Sequence, residues 1–301
     1  MAVCEEALRN WPVSTDLVRP GIGPTIPLHC SDPFLQACAH LSEEIDIPLQ
    51  THLAETRLQQ IMAQDKFGTS LTEHLDQLGV LSHRFSGAHG VWLSETEMTL
   101  LAEAKAGISH NPMSNLRIGS GIAQTRRLAD AGITIGIGTD ASNTSDGQNM
   151  FEAMRLAAMI SRAHTIDSDQ WVRTAEAFDM ATRGSAQLLR FDKVGRIAEG
   201  WAADLVFLDQ GYCHYTPQRT TLDQIVFAET GAAVREVMIA GQMVLAQDRI
   251  LTLDETALRH RALSAADRIT HANKDARTMN AAAAKVVKGF CHRHCTAHLP
   301  Q

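Results

Sequence analysis

The stretch Ile133-Thr-Ile-Gly-Ile-Gly-Thr-Asp140 constrains the fold more than any other. It is apolar and β-branched, with no alternation of apolar and polar residues. A strand of that kind is buried on both faces, which places it in a parallel sheet covered by helices. It also ends in a carboxylate. The same arrangement recurs upstream. Ile47 to Leu53 is a short strand carrying His52 at its end, and Phe85 to Trp92 is a strand and loop carrying His89. Ile108-Ser-His110-Asn-Pro112 is a strand broken by proline, and Thr25 to Cys30 reads as a further short strand before His52.

Helical segments lie between these strands. Ser31-Asp32-Pro33 is a helix start, with a capping side chain followed by proline at the first helical position. That helix turns Phe34, Leu35, Cys38 and Leu41 inward and stops near Asp46. Residues 56–68 and 70–78 read as helical. Ser94-Glu-Thr-Glu97 is a capping box. Residues 121–131 form a helix stopped by Gly132, and Asp146 opens an amphipathic helix through Phe151, Met154, Ala158 and Ile160. Strands alternating with helices over short loops mean parallel strands with crossovers. His29, His52, His89, His110 and Asp140 all fall at strand C-terminal ends, the face that carries the active site of a (β/α)₈ barrel. About five strand–helix units precede residue 190; a complete barrel has eight, in roughly 250 residues.

Beyond residue 190 the pattern changes. Gly195 to Asp209 reads as short strands and turns, and Val234 to Val244 alternates like a hairpin. Thr256 to about Lys288 is helical and polar. We therefore divide the chain into residues 1–190 (the barrel portion), 191–253 (a small β-sandwich portion) and 254–301 (a helix and tail). The tail Cys291-His-Arg-His294-Cys295-Thr-Ala-His298 is either a metal cluster or an irregular chain end.

Composition narrows the function class. A net charge of −7 with no basic stripe argues against nucleic-acid binding. No apolar run reaches the ~20 residues that span a bilayer. The six cysteines lack the spacing of a disulfide framework, so they are expected as thiols in a cytoplasmic protein.

Thr51-His52-Leu-Ala-Glu55 puts an imidazole nitrogen and a carboxylate side by side. Metal-assisted hydrolysis needs that pair, one group to hold the metal and the other to move protons. A strand-end histidine alone also serves as a structural hydrogen-bonder. The order of several motifs shifts the balance: Thr51 to Glu55, Gly87-Ala-His89-Gly-Val-Trp92, His110-Asn-Pro-Met-Ser-Asn115-Leu-Arg-Ile-Gly-Ser-Gly, and Gly138-Thr-Asp140. Together they resemble the amidohydrolase superfamily, in the branch of cytosine, guanine and S-adenosylhomocysteine deaminases and triazine hydrolases. The resemblance covers roughly residues 20–250.

That resemblance implies an α/β fold, a (β/α)₈ TIM barrel of metal-dependent hydrolase type represented by strands four to eight, with a small β-sandwich portion. It implies zinc, or iron(II), at the barrel mouth. His52 would be the strand-five metal ligand. Glu55 would shuttle a proton to the substrate's ring nitrogen. His89, on strand six, would orient the attacking hydroxide, and Asp140, on strand eight, would bind the metal and take a proton. His110 and Asn115 either wall the substrate pocket or simply form the turn that Asn-Pro imposes. Trp92 either stacks on a flat heterocycle or packs in the core.

Two departures stand out. No His-x-His pattern precedes His52, although the family's first strand carries one. The chain is therefore expected to be the C-terminal part of a longer enzyme, beginning near strand four. A site of His52 and Asp140 alone falls short of the three protein ligands usual for catalytic zinc. An inactive remnant is thus an alternative, and the open strand edges favour association into a homo-oligomer. Second, Gly23-Pro24 is followed by Thr25 where adenosine-type deaminases have histidine, which favours a free base, pterin or triazine. The leading expectation is a zinc aminohydrolase that releases ammonia from a small amino-substituted N-heterocycle. Hydrolysis of another C–N bond or a C–Cl bond is the alternative.

Overall fold

The computed structural model describes residues 1–295. One compact unit comprises Met1–Asp204 and Asp209–Val234. It is organised on four parallel strands: β1 (Leu49–Leu53), β2 (Phe85–His89), β3 (Gly107–His110) and β4 (Thr134–Ile137). They pair in that order, so the sheet is open and the barrel is not closed. The register sets Leu53 opposite His89, and His110 opposite Ile137. The strand ends, and the histidines on them, are therefore level.

The two faces of the sheet differ. Leu49, Leu53, Phe85, Ile108, Ile135 and Ile137 alternate onto one face and belong to the main apolar core. The other face carries small or polar residues, among them Gln50, His52, Ser86, Gly107 and Gly136. A Cβ at Gly107 would lie 2.1 Å from Leu188 Cδ2, and one at Gly136 would lie 2.8 Å from Leu188 Cδ1. The glycines thus admit Leu188 onto the sheet. The outer edge of β4 is covered by the segment Met180–Leu188, a π-turn followed by a helical turn. Ser185 Oγ accepts from the Ile137 amide at 3.1 Å and donates to the Met180 carbonyl at 2.9 Å. Gly184 comes so close that a Cβ there would lie 2.1 Å from the Ile135 carbonyl oxygen.

The helices show why the chain turns where it does. Ser94 and Glu97 form the expected capping box for helix Glu95–Glu103, and Ser70 with Glu73 forms a second for Leu71–Gln77. Thr56 caps Arg57–Phe67, which Gly68 ends at φ 72°. Helix Asp32–Ile45 forms, but Ser31 makes no capping bond. Its first residue, Asp32, instead accepts from His74 Nε2 at 3.0 Å.

Three sequence expectations are corrected. Residues 25–30 are not a strand. Pro24 and Pro27 lack the N–H that a ladder needs, and Pro27–His29 forms a single 3₁₀ turn. The edge of β1 is met instead by one parallel bridge from Ile22 to Leu49, so His29 does not end a strand. The helix expected over 121–131 begins only at Thr125, because Gly119 and Gly121 take φ of 76° and 120° and hold the chain in a loop. Asp146, at φ 61°, ends the short helix Ser142–Ser145 rather than opening the next one. Asn149 is the cap of Met150–Ile160, accepting from Phe151 N at 2.9 Å.

A buried polar knot lies in the 209–234 segment. Glu229 Oε2 accepts from the Tyr215 hydroxyl at 2.7 Å. Its Oε1 accepts from the amides of Thr230, Gly231 and Ala233 at 3.0, 2.7 and 3.2 Å.

The second unit comprises Leu205–Leu208 and the chain from Arg235 onward. Its sheet runs β5 (Leu205–Leu208), β6 (Val234–Ile239), β7 (Gln242–Ala246), β8 (Arg249–Ile250). Ala240 and Gly241 join β6 to β7 with φ of 48° and 78°, the left-handed pair that a two-residue hairpin turn requires. Helices Glu255–Ala272 and Lys274–Cys295 follow. The expected tail cluster at 291–298 lies outside the described side chains. Among the described residues no helix is long and apolar enough to cross a membrane.

Candidate functional site

The level strand ends bring four side chains together. His52 leaves the end of β1, and Glu55 follows three residues later on the turn before helix Arg57–Phe67. His89 ends β2, and Asp140 follows β4. Ligating atoms of His52, Glu55 and His89 all lie within 4.8 Å of one another. His89 Nε2 lies 4.0 Å from Glu55 Oε2 and 3.9 Å from Asp140 Oδ2. The His52 and His89 rings stack at 5.4 Å between centroids.

Backbone strain accompanies this convergence. His89 and Asp140 take φ of 81° and 59°, and Ala54, between His52 and Glu55, takes 48°. The left-handed region is costly for residues with a Cβ. Such outliers cluster where the surroundings hold a side chain in a required place.

Each imidazole is anchored through Nδ1. His52 Nδ1 meets the Thr25 carbonyl, and His89 Nδ1 lies 2.8 Å from Asn115 Oδ1. A carbonyl acceptor fixes the proton on Nδ1 and leaves Nε2 as a lone pair. His52, Glu55 and His89 thus face one point, and Asp140 approaches it beside His89 Nε2. That nitrogen and oxygen donor set fits a zinc or iron ion. Burial works against the Asp140 carboxylate, yet the Ser114 hydroxyl and the Ala141 amide hold its pKa below the ordinary value.

The other candidates lie behind this cluster. His110 is buried, and among the described residues neither ring nitrogen has a hydrogen-bond partner. Burial pushes its pKa down to about 4. Trp92 donates its indole N–H to the Ser120 carbonyl at 2.7 Å, and its ring lies under the Arg57 guanidinium and beside Gly121. His29 is not part of the His52–Glu55–His89 group. Ser120, absent from the sequence reading, lies with its Oγ 3.5 Å from Glu55 Oε1.

The profile of the amidohydrolase family matches residues 1–244. The chain belongs to the amidohydrolase family. Among similar amidohydrolases is the 5'-deoxyadenosine deaminase of Methanopyrus kandleri, 30% identical over 84% of this chain and 59% of the relative. Another is the 5-methylthioadenosine/S-adenosylhomocysteine deaminase of Nitratidesulfovibrio vulgaris, 35% identical over 80% of this chain and 54% of the relative. A crystal structure of an adenosine deaminase from Xanthomonas campestris with bound zinc superposes with a TM-score of 0.86 at 30% identity, over 90% of this chain and 61% of that one. Atrazine chlorohydrolase from Arthrobacter aurescens, complexed with zinc, gives 0.83 at 27% identity, over 87% and 58%. The chain thus spans 54–61% of the length of these amidohydrolases.

Proposed function

We propose that the amidohydrolase represented by this chain is a zinc-dependent aminohydrolase that removes ammonia from an amino-substituted N-heterocycle. The carrying observation is the convergence of His52, Glu55, His89 and Asp140 at the strand ends. We further assign β1 to β4 as strands five to eight of an eight-stranded barrel, with Ile22 marking strand four, and keep the domain limits 1–190, 191–253 and 254–301. The free thiols of Cys4, Cys30, Cys38 and Cys213 support a reducing, cytoplasmic setting.

In this reading His52 and Asp140 would hold the metal, with His89 beside them. When bound, the metal supplies Lewis acidity and brings the pKa of water to about 7. Glu55 Oε2 delivers a proton to the ring nitrogen next to the amino-bearing carbon. Asp140 Oδ2 takes a proton from the attacking water and returns it to the departing amine, which leaves as ammonia, while Glu55 takes back the remaining hydroxyl proton as the ring carbonyl forms. His89 Nε2 holds the water between the two carboxylates. His110 and Asn115 back the pocket from inside, and Trp92 shapes its wall.

The relatives named for adenosine-type nucleosides make the adenine ring of a 5'-modified adenosine the first substrate to test, ahead of the free bases that Thr25 suggested. The triazine hydrolase likeness favours a second reading, hydrolysis of a C–Cl bond at an activated ring carbon by the same residues.

The test is ammonia release from 5'-deoxyadenosine and a chlorotriazine, with Glu55→Gln as the variant, in a polypeptide extended to the length of the relatives. Glu55→Gln is expected to abolish turnover, by at least the 10²-fold typical of a lost general acid, while zinc content stays unchanged. Full turnover by this variant would remove Glu55 from the chemistry.

A further inference from the structure

We propose that Asn115 is a positioning residue: it fixes His89 as the Nδ1-protonated tautomer, so that the Nε2 lone pair faces Glu55 and Asp140. This rests on the proposed role of His89 at the site.

Asn115 lies on the short helix Pro112–Arg117, which follows β3 directly. His89 and Asn115 are each 1% exposed, so neither exchanges partners with bulk water and no substrate reaches Asn115 past the imidazole. The 2.8 Å contact between Nδ1 and Oδ1 is therefore a standing one. A neutral imidazole has one donor and one acceptor nitrogen. With Nδ1–H held by the amide oxygen, Nε2 is the acceptor, at 4.0 and 3.9 Å from the two carboxylates. The other tautomer would aim an N–H at both carboxylates and leave no lone pair for a metal or a water proton. Outer partners of this kind fix ring orientation and tautomer, and their loss typically costs 10–100-fold.

The same loop system backs the other site carboxylates. Ser114, one residue before Asn115, stands beside Asp140 and helps hold its carboxyl ionised. Ser120 Oγ lies 3.5 Å from Glu55 Oε1. Within 110–120, His110, Asn111, Ser114, Asn115 and Ser120 are thus buried behind the site, while 116–119 are exposed. The indole N–H of Trp92 ties it down through the Ser120 carbonyl. Asn115 acts on the chemistry only through His89.

The experiment is nitrogen-15 NMR of the imidazole side chains of the metal-free 301-residue chain at pH 8.5, with His89 assigned by His89→Gln. The expected result is a protonated Nδ1 and an unprotonated Nε2. Asn115→Leu is expected to shift His89 to a mixture of tautomers, and Asn115→Asp, which keeps an oxygen acceptor at the same reach, to retain Nδ1–H. In an active, length-extended enzyme, Asn115→Leu should lower kcat 10–100-fold with little change in KM, and Asn115→Asp should recover part of it. A wild-type His89 protonated on Nε2, or a tautomer unchanged by Asn115→Leu, would overturn the assignment. Because the NMR arm needs neither metal nor substrate, a failed deaminase assay leaves its outcome standing.

Discussion

The Tyr215 hydroxyl donates to Glu229 Oε2 at 2.7 Å inside the protein, and Glu229 also accepts three backbone amides through its other oxygen. Burial opposes the charge, yet these four donors hold the Glu229 pKa below its ordinary value of 4.5. A carboxyl depressed in the folded state stabilises it fully above the unfolded pKa, and that contribution fades as the pH falls through the folded value. Stability should therefore drop on acidification below about pH 4.5. Glu229→Gln should cost roughly 1–3 kcal/mol at pH 7, and the gap to wild type should narrow between pH 5 and pH 3. Denaturant unfolding across that range checks it. A gap independent of pH would mean that folding leaves the Glu229 pKa unchanged, and a gap that widens on acidification would mean that it is raised.

Gly184 is where the covering helix touches the β4 edge. Gly184→Ala places a methyl 2.1 Å from the Ile135 carbonyl oxygen, and backbone cannot yield as a side chain tip does. Overpacking of this kind costs roughly 1–3 kcal/mol, so the melting temperature should fall by several degrees. The neighbouring exposed Gln187→Ala should stay within about 0.5 kcal/mol of wild type. Equal effects of the two would show that the segment does not seat against β4.

Zinc should bind the chain through His52 and Asp140 and stabilise it by linkage. Free zinc at about 100 times its dissociation constant adds roughly 2.7 kcal/mol, and a chelator should reverse the rise in melting temperature. His52→Ala and Asp140→Ala should each lose most of the shift, while Trp92→Phe should keep it. Calorimetry with and without zinc reads this out. Retention of the full shift by His52→Ala would move the metal elsewhere.

Much of this architecture is written in local signals. The both-faces-buried stretch around Ile133–Ile137, the Ser94/Glu97 box and the proline after His110 each act over a few residues, so sequence alone conveys them. The misread places are those where two local rules compete. Thr25 to Cys30 has strand-forming residues, but Pro27 removes the donor at the centre of the pattern. Asp146 and Asn149 are both good caps, and only the left-handed turn at Asp146 decides between them. At the site, the meeting of His52, Glu55, His89 and Asp140 follows from strand register, which the spacing of polar strand ends foreshadows. The anchors do not. Thr25 holds His52 through a backbone carbonyl, which any residue carries. Asn115 reaches His89 across 26 positions, and its asparagine serves a turn equally well in sequence.

His89 and Asp140 stand in left-handed backbone, where a glycine would sit at ease. A glycine at either position would relax that backbone and remove the imidazole or the carboxylate in the same change, so at each place one residue sets both the turn of the chain and the group it presents.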